Sequence, residues 1–329
     1  MGKLPFELIE RKVIIKKEYS TNEKYGCNPF GRDVKTLIEY GIINLNKPKG
    51  PTSHQVSDYV QKIFNIKKAG HSGTLDPGVT GVLPVALEKA TRIVQTLLGT
   101  GKEYVCLMHV HKLIDENEIR KGCDSFIGKI KQIPPIKSAV KRQEREREIY
   151  YLEILEIDGQ DVLFRVGCEA GTYIRKLVWQ IGQKLKTGAH MQQLIRTKVG
   201  AFTDKDWVSL QDVKDAYEFY KDCSEKEIRN VIKPYEIAVN HLPKIWVSDN
   251  TVDALCHGAN LYIIGISKLH NKINENDDVA IFTLKDELIC LGKAAMSSEE
   301  MLKKEKGIAV VTNKVFMERG VYPRYAKDN

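Results

Sequence analysis

The sequence predicts an α+β fold in two parts: a mixed, largely antiparallel sheet flanked by helices, then a small β-barrel-like domain. Three observations carry this reading. From Gly41 onward, apolar stretches of period two alternate with stretches of helical period, with glycines and prolines at the joints. Two strong strand patterns, residues 149–157 and 162–168, are separated by Asp158-Gly159, a pair suited to a tight hairpin and hence to antiparallel pairing. From about His241 the texture changes to five short strand patterns within roughly 80 residues, the signature of a barrel or sandwich.

Residues 1–40 show no clear period and are expected to form an N-terminal extension packing on the C-terminal domain. Residues 41–48 read as a strand, and after the break at Lys49-Gly50-Pro51 either Thr52 or Ser53 caps a helix carrying Val56, Tyr59, Val60, Ile63 and Phe64 on one face. A helix over 88–98, with Ile93, Val94, Leu97 and Leu98 inward, precedes a strand over 103–110. After the hairpin come a helix over 173–186, a strand over 193–199 and two short helices, 213–220 and 225–232, ending at Pro234. The tail strands are expected at 244–247, 261–266, 278–283, 287–294 and 307–311, which sets the domains at 41–240 and 241–329.

With 329 residues, 42% of them hydrophobic, and a mean hydropathy of −0.33, the chain has apolar material for two packed cores. The longest apolar runs, such as residues 81–87, fall far below the roughly 18 residues that span a bilayer, so no membrane partner is expected. The N-terminus lacks an apolar core behind a basic start, which predicts a cytoplasmic protein. Seven scattered cysteines without a CxxC pair suggest neither a disulfide framework nor a zinc site. His109-x-His111 lies in an alternating strand pattern with no cysteine or carboxylate cluster nearby, so no metal ligands are assigned. Lys and Arg number 51 against 43 acids, a net charge of +8 that favours a polyanionic partner without proving one.

The most informative stretch is AGHSGTLDPGVTG, residues 69–81. Its glycines and Pro77 specify a sharply turning loop that holds Asp76 with little freedom, and a carboxylate fixed in this way acts as nucleophile or general base. On composition alone Asp76-Pro77-Gly78 reads first as a surface turn. The spacing matches neither phosphate-cradling glycine motif.

The pattern G-H-x-G-x-L-D-P-x-x-[TS]-G-x-L resembles the catalytic motif of the pseudouridine synthases of the TruB/dyskerin family. The other family motifs follow in order: Lys47-Pro48-Lys49-Gly50, Lys102-Glu103-Tyr104, the segment PPIKSAVK from Pro134 to Lys141, AGTYIRKL from Ala170 to Leu177, and LIRTKVG from Leu194 to Gly200. The resemblance covers residues 41–240 and implies the pseudouridine synthase core, while the tail resembles the RNA-binding PUA domain that follows it. The implied activity is isomerisation of uridine to pseudouridine in RNA, needing neither redox cofactor nor metal.

By this resemblance Asp76 is the catalytic aspartate, attacking C1′ or removing the C2′ proton, and Arg175 pairs with it; a guanidinium beside a carboxylate favours the ionised form. Tyr104 stacks on the target base, His71 fills the gap left by the flipped uridine, Ile174 and Leu194 wall its pocket, and Lys47 belongs to the RNA-contacting set. Lys137, Lys141, Arg142, Arg145 and Arg147 outnumber Glu144 and Glu146 in a segment that corresponds to the family's thumb loop, where Lys141, Arg142, Arg145 and Arg147 would meet phosphates; a solvated charged stretch is the alternative. The short thumb, the PUA-like tail and the N-terminal extension are most similar to the archaeal dyskerin-like branch, catalytic subunits of the H/ACA ribonucleoprotein. That branch implies a box H/ACA guide RNA, substrate rRNA and tRNA, the TΨC loop among them, and small partner proteins. A standalone tRNA enzyme and a non-catalytic RNA-binding scaffold are the rivals. Intact Asp76, Tyr104 and Arg175 speak against the scaffold, which has no need of them.

Overall fold

The computed structural model describes residues 2–134 and 142–324. The chain divides into two compact units, Met1–Leu8 with Ile38–Ala238, and Ile9–Leu37 with Val239–Asn329.

The first unit is built on a ten-stranded mixed sheet. Strand β1, Gly41–Lys47, leads into helix α1, Ser53–Phe64, whose N-terminus Thr52 closes in a capping box with Gln55. There follow β2, Ala69–His71, and β3, Thr80–Leu87, then β4, Lys102–Val110, helix α2, Glu116–Asp124, and β5, Gly128–Gln132. The hairpin of β6, Arg145–Asp158, and β7, Asp161–Cys168, precedes helix α3, Ile174–Lys184, and β8, Ala189–Val199. Helices α4, Leu210–Lys221, and α5, Lys226–Val231, lead to β9, Ile232–Pro234. Across the sheet the order is β9-β1-β3-β8-β4-β7-β6-β5, with β2 edged onto β3 and a tenth, two-residue strand, Phe202–Thr203, edged onto β8.

All these neighbours are antiparallel except β3 and β8, which pair in parallel through Thr80–Ile195 and Gly81–Arg196. Gly81 is required at that junction: its φ is +111°, and a Cβ there would sit 2.2 Å from the Arg196 carbonyl oxygen. The hairpin forms where the sequence places it, with Asp158 opposite Asp161 and Gly159 at φ +57°. Alternate residues of β4, β7 and β8 bury Cys106, Met108, Val162, Phe164, Val166 and Leu194 against Leu177, Val178 and Ile181 of α3.

Several elements differ from expectation. The segment expected as one helix over 88–98 is a 3₁₀ turn, Glu88–Ile93, followed by a short α-helix, Val94–Leu98. Glu88 starts it at φ +40°, and the Thr91 and Thr96 hydroxyls donate to carbonyls three residues back, which competes with regular α-helical bonding. Leu98, expected inward, is 42% exposed. Strand β3 was not anticipated because Gly81 and Pro84 interrupt its apolar run.

The second unit carries a seven-stranded sheet around a core of Ile245, Leu255, Leu269, Val279, Ile281 and Ile289. Its strands are Lys244–Val247, Ile266–His270, Asp278–Thr283, Leu288–Ala294 and Ile308–Val315, with the short edges Val13–Ile15 and Leu261–Tyr262. The expected strand over 261–266 is broken by a 3₁₀ turn at Ile263–Gly265. The N-terminal residues divide: Val13–Ile15 pairs with Ile266–His270, whereas in the first unit Leu4 is fully buried and Glu7 accepts from Lys198. Among the described residues no helix is long and apolar enough to cross a membrane.

Candidate active site

The loop from β2 to β3 is anchored on both sides of Asp76. The Leu75 amide donates to Ser53 Oγ of α1 (2.8 Å), and the Gly50 amide donates to the Pro77 carbonyl (2.8 Å). Lys47 Nζ, at the end of β1, donates to the carbonyls of Pro48 (2.9 Å), Pro77 (3.3 Å) and Val79 (2.9 Å). Leu75 and Val79 are buried in one core cluster with Ile174 and Leu194. Asp76 stands between these anchors with its carboxylate turned out, 56% exposed, and pairs with the Arg175 guanidinium.

Arg175 occupies the first turn of α3 and reaches this carboxylate with its guanidinium. Tyr104, on β4, is partly buried against the same core, and its hydroxyl is electrostatically coupled to the Arg196 guanidinium of β8. Burial pushes the Tyr104 hydroxyl above its ordinary pKa, against the pull of the Arg196 charge. Arg196 is 1% exposed; Nε donates to the Val82 carbonyl (2.8 Å) and Nη2 to the Gly73 carbonyl (3.2 Å). Burial lowers its pKa, and among the described residues it is Tyr104, not a carboxylate, that offsets this.

The structure thus brings Asp76, Arg175, Tyr104, His71, Ile174 and Leu194 onto neighbouring elements. His71 ends β2, partly buried, and its Nδ1 accepts from the Gly73 amide (3.3 Å). Burial, then the charges of Arg196 and His54, lower its pKa, so its imidazole is neutral at pH 7. Lys47 corrects an expectation: it is fully buried and its ammonium is engaged by three backbone carbonyls, so it holds the loop instead of meeting RNA.

Of the thumb residues, Arg142 is exposed and Arg145 partly so, and Lys141 lies outside the described residues. Glu144 and Glu146 pair with Lys131 (3.2 Å) and Lys129 (2.9 Å) of the neighbouring strand β5. Arg147 is turned toward Glu169 (3.7 Å) and Gly171.

Arg196 was given no role by sequence reasoning. Its signal was available: it sits at a core-facing position of β8, two residues from the buried Leu194, where the pattern calls for an apolar side chain. His109 and His111 find partners at the far end of β4, His109 with Asp161 (2.6 Å) and His111 with His190 (2.9 Å). Among the described residues no group of His, Cys, Asp or Glu is disposed to hold a metal ion.

Family models match along the chain: the TruB family pseudouridylate synthase N-terminal domain at residues 61–174, the tRNA pseudouridylate synthase B C-terminal domain at 175–240, the PUA domain at 243–316 and the DKCLD domain at 2–57. A probable tRNA pseudouridine synthase B of Pyrococcus horikoshii is 56% identical over 319 residues, 96% of each chain. That of Methanocaldococcus jannaschii is 53% identical over 97% of this chain and 95% of its own. Among solved structures, a Cbf5-Nop10-Gar1 complex contains a chain 54% identical with a TM-score of 0.92, covering 98% of this chain and 99% of that one. A structure of an H/ACA RNP bound to a substrate RNA containing 2′-deoxyuridine contains one 52% identical with a TM-score of 0.91, covering 98% and 99%.

Proposed function

The chain belongs to the TruB family of pseudouridylate synthases and is an RNA pseudouridine synthase, and we propose that Asp76 is the carboxylate that carries its chemistry. The observation behind this assignment is the anchoring: Lys47, Gly50 and Ser53 fix the backbone on both sides of an outward Asp76 that Arg175 meets. The reaction breaks the N1–C1′ bond, joins C1′ to C5, releases the C5 proton and leaves N1 to take one up, so it is redox-neutral. Asp76 serves by attacking C1′ or by removing the C2′ proton. Arg175 orients the carboxylate, Tyr104 packs on the base, and neutral His71 fills the stack vacated by the flipped uridine at little desolvation cost. Ile174 and Leu194 form the apolar floor.

We further propose that a box H/ACA guide RNA selects the uridine in rRNA, that small partner proteins complete the particle, and that residues 241–329 anchor the RNA. The near full-length similarity to chains of the Cbf5-Nop10-Gar1 and H/ACA RNP structures supports this. The names of the sequence relatives support tRNA as a second substrate, and the sequence reading adds a cytoplasmic location. Sequencing RNA that copurifies with the chain tests guide dependence: a bound H/ACA hairpin is expected, and its absence favours a standalone tRNA enzyme.

Tritium release from C5-labelled uridine in RNA tests Asp76. Asp76→Asn should abolish release while leaving RNA affinity within a few-fold, because it removes the reactive oxyanion and little contact area. Release at even a tenth of the unsubstituted rate would refute the assignment.

A further inference from the structure

Helix α3 buries Ile174, Leu177, Val178, Ile181 and Gly182 and turns Arg175, Lys176, Trp179, Gln180 and Gln183 outward. One border of this outer face is the Arg175–Asp76 pair. The other is the strand entering the thumb, to which Gln180 is tied: its Nε2 donates to the Lys131 carbonyl (2.9 Å), and its Oε1 accepts from Gln132 (3.1 Å). Between these borders stands Trp179, 48% exposed, with Lys176 Nζ 3.5 Å from its ring centroid.

Tryptophan is usually well buried, and a half-exposed indole carrying a cation is a surface suited to a flat π system with a phosphate attached. Trp179 is four residues beyond Arg175, one helical turn or about 6 Å along the axis, close to the spacing of successive nucleotides in an extended strand.

We propose that Trp179 and Lys176 form a stacking platform for a nucleobase next to the target uridine, with Lys176 set to meet its phosphate. This subsite rests on the assignment of the reacting centre to Asp76 and extends it to the flanking RNA. Stacking tolerates any base, so the platform holds the strand without choosing its sequence.

The test uses the full chain with an unmodified tRNA transcript. Trp179→Ala should weaken RNA binding roughly 5- to 100-fold, the range that loss of one base stack covers, while Trp179→Phe retains most of the affinity. RNA should quench a part of the tryptophan emission that disappears in Trp179→Phe, where Trp207 and Trp246 remain. Circular dichroism of both variants excludes loss of fold as the cause. Unchanged affinity in folded Trp179→Ala, with no quenching of Trp179, overturns the platform, including the case in which a partner protein covers the indole instead. Binding and quenching do not depend on turnover, so an Asp76→Asn chain that binds and quenches normally yet still releases tritium at a tenth or more of the unsubstituted rate counts against Asp76 and not against the platform.

Discussion

Replacing Lys47 by Met separates a loop-holding role from an RNA-contacting one. Met keeps the length of the stem and removes the ammonium, so the Pro48, Pro77 and Val79 carbonyls each lose a donor. Pro77 keeps the Gly50 amide, and Pro48 lies where water can substitute. The Val79 bond is buried, and an orphaned buried carbonyl costs about 1–3 kcal/mol. Relief from burying a cation recovers part of this, since burial already holds the Lys47 pKa below its ordinary value, so the net loss should be roughly 1–2 kcal/mol. The effect on chemistry should be larger: Val79 is three residues from Asp76, and a displacement of about 1 Å at a reacting group lowers rates on the order of a hundred-fold. Urea unfolding gives the first quantity and single-turnover tritium release the second, with RNA affinity expected to stay unchanged. Weakened, salt-sensitive RNA binding with an unaltered single-turnover rate would refute the loop-holding role.

Tyr104→Phe should destabilise the chain by on the order of 1 kcal/mol, because it removes the hydroxyl whose coupling offsets the burial of the Arg196 guanidinium; a stability equal to the unsubstituted chain in urea would show that coupling to be unimportant. Lys102 is 6% exposed, and burial lowers its pKa to about 7 from 10.5, so between those values the unfolded chain binds a proton that the native chain lacks, and stability should rise with pH. The stability difference between the native chain and Lys102→Met should therefore shift in favour of the native chain from pH 7 toward pH 10, and a flat difference would mean that the carbonyls of Leu97, Leu98 and Thr100 hold the ammonium form. Replacing Arg142 and Arg145 by Gln should lower the salt slope of RNA binding by about 1–2 counterions, whereas an unchanged slope identifies a solvated stretch.

The sequence exposed the strands and helices that run with one period between clear breaks: β1, α1, β4 and the β6–β7 hairpin. It hid β3, where Pro84 and Gly81 disrupt the pattern but the parallel junction with β8 needs a residue without Cβ. Short edges such as Val13–Ile15 are three residues long, too few to show a period, and become strands only through pairing with Ile266–His270. At the site, the glycines and proline announced a rigid loop around Asp76, but its partner Arg175 lies 99 residues away, a juxtaposition that periodicity cannot supply. Family motifs supplied it. Lys47 was placed in the RNA-contacting set by resemblance, and only the fold shows three carbonyls converging on its ammonium.

One physical feature links these residues. Lys47 and Arg196 are both buried, and their hydrogen bonds go to backbone carbonyls instead of carboxylates. Burying a cation beside a carboxylate would cancel its charge, whereas carbonyl dipoles satisfy its donors and leave the charge in place. Both cations hold carbonyls of the Asp76 loop, and Asp76 lies within Coulombic reach of Lys47. In the proposed reaction an RNA strand brings its phosphates close to the Asp76 carboxyl group, and exposed cations alone would be screened by salt on that approach. Charges beneath the surface are screened far less, so they offset the repulsion at the place where the uridine must leave the stack. The arrangement carries a stability penalty from cation desolvation, and it explains why these positions of the sheet hold lysine and arginine where packing alone would favour leucine.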